Sequence, residues 1–74
     1  MTRGIPYLIQ EIVKLSRQND LTLSIYSISD KKGKNTIVKS DTSIQITIFE
    51  SDQDIDEFTA TLDILVDSLK TTVL

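Results

Sequence analysis

Five carboxylates fall within eight residues of this chain, at Glu50, Asp52, Asp54, Asp56 and Glu57. The spacing Asp52-x-Asp54-x-Asp56 matches the start of an EF-hand calcium loop. That loop also needs glycine at its sixth position and a bidentate glutamate at its twelfth. Those positions hold Glu57 and Asp63, and Phe58 at the seventh belongs to an apolar helical stripe. The run therefore reads as the first turn of a helix, where the dipole favours negative charge, and no metal is expected. Positive charge gathers at Lys31, Lys32 and Lys34 around Gly33. A lysine loop can touch phosphate, but no aromatic residue interleaves with it to stack on a base. It reads as a solvated turn, with Gly33 available for a positive φ.

Other chemistry is excluded by composition. The chain has no histidine and no cysteine. A Ser-His-Asp triad, a thiolate nucleophile, an imidazole base and the usual zinc sites are all out of reach. Seventy-four residues also leave little material to wall off a pocket of enzymatic size. No catalytic residue, cofactor or metal is expected, and the chain is not read as an enzyme. A single domain spanning 1–74 is expected, with one small core and marginal stability.

The charges divide the chain. Residues 1–40 carry seven basic against three acidic side chains, a net +4, and residues 41–74 carry one against eight, a net −7. The sum is −3. No apolar run approaches the roughly 20 residues that span a bilayer. The N-terminal apolar stretch is broken by Gln10, Glu11 and Lys14, so it reads as an amphipathic helix rather than a signal peptide. A cytoplasmic protein without membrane contact is expected.

The elements that must position these residues follow from periodicity. Ile5, Leu8, Ile9, Ile12, Val13 and Leu15 recur at helical spacing and predict a first helix from about Ile5 to Gln18. Pro6 suits its first turn, and Asn19-Asp20 suits its end. Period-two patterns then predict strands over 21–29, 36–40 and 43–49. Leu21, Leu23 and Ile25 point one way in the first, and Ile44, Ile46 and Ile48 in the third. A second helix begins after Ser51 or Asp52, with Ser51 as its cap. It carries Ile55, Phe58, Leu62, Leu65, Val66, Leu69 and Val73.

Short connections favour an α+β fold of order αβββα, a three-stranded antiparallel meander with both helices packed on one face. Leu23, Ile25, Ile44, Ile46 and Ile48 would then meet Leu8, Ile12, Phe58, Leu62 and Leu65 in the core. The other face would carry Tyr26, Ile28 and Phe49 among polar residues.

This order resembles the double-stranded RNA-binding domain in topology. That family sets lysines against RNA phosphates at the start of its second helix. Here the stretch is Asp52-Gln53-Asp54-Ile55-Asp56-Glu57, of the opposite sign, so direct nucleic-acid binding is not expected. The chain also resembles the small acidic phage-encoded anti-CRISPR inhibitors of Cas9, on Leu8-Ile9-Gln10-Glu11-Ile12 and on Glu50-Ser51 followed by Asp54-Ile55 and Phe58. It departs from them in having no third helix and no dense acidic tail after helix two. The resemblance implies a protein that acts in a host cytoplasm by occluding a basic, nucleic-acid-binding surface of a larger partner. Read from the residues themselves, the negative edge of Glu50, Asp52, Asp54, Asp56 and Glu57 could occupy such a groove, and Tyr26 with Phe49 could form a partner patch or a dimer seam. The alternative is a homo-oligomeric assembly protein of phage or bacterial origin, joined through its sheet face or a strand edge.

Overall fold

The computed structural model describes residues 4–72, so Val73 lies outside the described residues. The elements are α1 (Ile5–Gln18), β1 (Thr22–Ile28), β2 (Thr36–Lys39), β3 (Ser43–Phe49) and α2 (Ile55–Thr72). Helix α1 starts from an extended Gly4, with Pro6 in its first turn. It ends where Asp20, at φ 58°, turns left-handed. The Leu21 N–H then reaches back to the Ser16 carbonyl at 2.8 Å and the Asp20 N–H to that of Arg17 at 3.2 Å. These are the two bonds of a Schellman ending, so Asp20 rather than Asn19 adopts the left-handed position. The Asn19 amide instead donates to the Leu15 carbonyl at 2.8 Å.

The three strands form one mixed sheet of order β1-β3-β2, which corrects the antiparallel meander. β3 is central, antiparallel to β2 and parallel to β1. The tight Ser40–Ser43 reversal holds β2 beside β3, its Ser40 Oγ accepting from the Ser43 N–H at 3.1 Å. The link between β1 and β2, residues 29–35, is not a hairpin. It crosses the end of β3 and sets β1 down two strand positions away. Two strand spacings are about 10 Å, well within the reach of seven residues at roughly 3.3 Å each.

Both helices cover one face. Leu8, Ile12 and Leu15 of α1, Phe58, Leu62, Leu65, Val66 and Leu69 of α2, and Ile44 and Ile46 of β3 make the buried core. Leu23 and Ile48 pack at its margin. Ile25 does not join it. Its register with Ile46 places it on the helix side, yet it is 42% exposed at the edge of the sheet. Among the described residues one side-chain polar atom is trapped, the Oγ of Ser16, which is buried without a hydrogen-bond partner.

Candidate functional site

The mixed topology brings together two segments that are distant in sequence. Because the 29–35 link crosses the end of β3, it meets the residues that lead from β3 into α2. The Phe49 N–H, next in line for the β2–β3 ladder, has no β2 backbone opposite it, because β2 begins only at Thr36, opposite Thr47. The Asn35 side chain takes that rung, its Oδ1 accepting at 2.6 Å. The Asn35 N–H in turn donates to Oδ2 of Asp52 at 2.8 Å. Ser51 Oγ accepts from the Gly33 N–H and donates to the Lys31 carbonyl, each at 3.3 Å. The lysine loop and the acidic lead-in to α2 are thus one joint.

Gly33 is glycine for a reason other than turn chemistry. Its φ is not positive. A β-carbon there would meet the Phe49 ring at 2.5–2.8 Å, inside contact distance for three ring atoms. Phe49, expected on an open face for a partner, is half-buried with its ring against this loop. Tyr26 stands 50% exposed on the same side of the sheet. The face away from the helices therefore offers Tyr26 but not the full aromatic pair.

The acidic residues divide by role. Asp52 Oδ1 accepts from the Asp54 N–H at 3.0 Å while its other oxygen holds Asn35. Those two backbone donors, helped by Lys34, keep its carboxyl below the ordinary 3.8. Asp52 is half-buried and serves the joint. The cap of α2 is Asp54, not Ser51. Its Oδ1 accepts from the Glu57 N–H at 3.3 Å and its carbonyl from the Phe58 N–H at 3.3 Å. Asp54 and Glu57 have the spacing of a capping box. The side-chain hydrogen bond from Glu57 to Asp54, and the charge of Asp54, raise the Glu57 carboxyl above its ordinary 4.5. Lys34 pulls it the other way and does not prevail. Glu50 and Asp56 are exposed, and neither carboxylate takes part in the bonds of the joint.

Lys34, Asn35, Asp52, Asp54, Glu57 and Thr61 line a shallow cleft floored by Ile37 and Phe58. Its volume is about 60 Å³, far below the roughly 300–1,000 Å³ of small-molecule sites. Among the described residues, no three His, Cys, Asp or Glu side chains converge on a point where a metal ion could sit. Among the same residues, no helix is long and apolar enough to cross a membrane.

No family model, curated protein or solved structure matches the chain.

Sequence reasoning placed the acidic run at the start of α2 but missed its partner, the 31–35 loop. The readable signal was length. Seven residues between β1 and β2 are more than a tight hairpin needs, while Ser40–Ser43 is a tight reversal.

Proposed function

We propose that this chain is a small protein-binding module whose acidic lead-in to α2 docks on a basic, nucleic-acid-binding surface of a larger protein and blocks it. The anti-CRISPR resemblance suggests Cas9 as one such partner. The observation that carries the reading is the concentration of exposed carboxylates, Glu50, Asp54, Asp56 and Glu57, around the start of α2. The Asp54 side chain, through a hydrogen bond and then through charge repulsion, raises the Glu57 carboxyl above its ordinary value. A cationic group from a partner relieves that repulsion, so binding gains where the free protein is least comfortable. Exposed Glu50 and Asp56 extend the same negative end and steer the encounter.

Not every acidic residue is a clean probe of this surface. Asp52 is committed to two backbone amides and Asp54 caps the helix, so reversing either charge would perturb the fold as well as the surface. The informative variant is Glu50→Lys with Asp56→Lys. Immobilised protein is exposed to a bacterial lysate, and what it retains is challenged with duplex DNA and with salt. The reading expects basic nucleic-acid-handling proteins that DNA displaces and that the double variant fails to retain. Retention by the double variant, or indifference to DNA, would overturn it.

A further inference from the structure

The two edges of the sheet are unlike. The β2 edge is four residues long, carries Lys39 and follows directly on Lys34-Asn35. Short length and lysine are the usual protection of a strand edge. The β1 edge is seven residues long, TLSIYSI, with no charge, no proline and no glycine. Its hydrogen-bonding face can be assigned. The Thr22 N–H donates to the Thr42 carbonyl at 3.0 Å, and the Ile28 carbonyl accepts from the Glu50 N–H at 2.9 Å. Alternate residues of a strand direct both backbone groups to the same side. Thr22, Ser24, Tyr26 and Ile28 therefore bond to β3, and Leu23, Ile25 and Ser27 turn their N–H and C=O groups outward.

We infer that this edge pairs with the same edge of a second copy, antiparallel, about a two-fold axis at Ile25. In that register Ile25 faces Ile25 of the second copy, and Leu23 faces its Ser27. All three outward residues on each strand then find partners. The pairing joins two three-stranded sheets into one of six strands, and an isologous contact of this kind closes at the dimer. Three features select a second copy as the occupant. An uncharged strand meets itself without like-charge opposition. The two-fold register satisfies every outward backbone group. It also covers Ile25, which lies on the helix side of the sheet yet remains 42% exposed in the single chain. Strand pairing alone buries less than the roughly 1,000 Å² of a stable interface, so the dimer is weak and depends on concentration. This pairing uses a different surface from the acidic lead-in and does not rest on the function proposed above.

The test is sedimentation over about a hundredfold range of protein concentration, with amide exchange followed by NMR at both ends of the range. Mass should rise toward twice that of the single chain. Over the same range the amides of Leu23, Ile25 and Ser27 should become protected, while those of Ser24, Tyr26 and Ile28 are protected throughout. Ile25→Lys, at an exposed side chain, and Ser27→Pro, at an outward N–H, should each keep the chain monomeric with an unchanged circular dichroism spectrum. A mass that stays at one chain throughout would overturn the pairing. So would a dimer that survives Ile25→Lys, which would place the contact on another surface. Concentration-independent exchange at the three outward amides would overturn it as well.

Discussion

Gly33→Ala is the sharpest probe of the joint between the lysine loop and the acidic lead-in. The backbone at Gly33 is not in the left-handed region, so alanine is conformationally permitted there. On turn chemistry alone the change should be neutral or slightly stabilising, because glycine loses more entropy on folding. The surroundings predict the opposite. The new β-carbon would lie 2.5, 2.7 and 2.8 Å from three atoms of the Phe49 ring. That ring is half-buried against the loop, so moving it aside gives up packing at the end of β3. Loop and strand end must separate, straining the Ser51 and Asn35 links. Overpacking of this kind costs about 1–3 kcal/mol. At roughly 4–8 °C per kcal/mol for a domain this small, Tm should fall by about 5–20 °C. Thermal unfolding of Gly33→Ala, Phe49→Leu and the double variant makes the test specific. Leucine removes the ring atoms, so Gly33→Ala should cost much less in the Phe49→Leu background, with a coupling of about 1 kcal/mol or more. A neutral Gly33→Ala, or an equal loss in both backgrounds, would rule out a clash between residue 33 and the Phe49 ring.

Asp20→Gly relieves a left-handed aspartate at the end of α1 and should stabilise the fold by about 0.5–1 kcal/mol in chemical denaturation; a loss of stability would contradict the Schellman ending. Ser16→Ala removes a buried, unpartnered hydroxyl and should be stabilising by about 1 kcal/mol, read the same way; a clear destabilisation would mean that the hydroxyl has a partner in solution. The two perturbed carboxyls act on pH stability in opposite senses. Asp52 is lowered in the folded state, so its contribution is present above 3.8 and is lost as pH falls through its lower folded value. Asp52→Asn should flatten the acid limb of the stability curve below 3.8. Glu57 is raised, so the folded state binds its proton more tightly and stability is gained as pH falls through its folded value toward 4.5. Glu57→Gln should abolish that gain, and a pH–stability curve unchanged by either substitution would contradict the assigned bonds.

The elements were readable because they rest on local periodicity. The bounds of α1 and β3 agree with the apolar spacing, and the core residues Leu8, Ile12, Ile44, Ile46, Phe58, Leu62 and Leu65 are those the stripes nominated. Strand order was not readable from the same signal. Alternation assigns a residue to one face of a sheet but not a strand to its neighbour, and TLSIYSI alternates equally well beside β2 or β3. The placement is accompanied by long-range side-chain bonds, Asn35 on the end of β3 and Asp52 on Asn35, which leave no periodic trace. Ile25 departs from the pattern for a related reason. It lies on the side of the sheet that the pattern indicates, but on an edge strand, and so at the margin of the core. The cap of α2 moved from Ser51 to Asp54 because Ser51 is held by the crossover loop. Of the seven residues nominated for a partner, Asp52 and Phe49 turn inward to the joint. Glu50, Asp54, Asp56, Glu57 and Tyr26 remain exposed.

The claim that the negative lead-in to α2 mimics nucleic acid has one direct measurement. It is the affinity for a retained partner, measured as a function of salt for the natural chain and for Glu50→Lys with Asp56→Lys, with duplex DNA as competitor. For the natural chain, affinity should fall steadily as salt rises and DNA should compete fully; the double variant should bind more weakly with a shallower salt dependence. An affinity indifferent to salt and to both substitutions, with DNA and the chain bound at the same time, would contradict it.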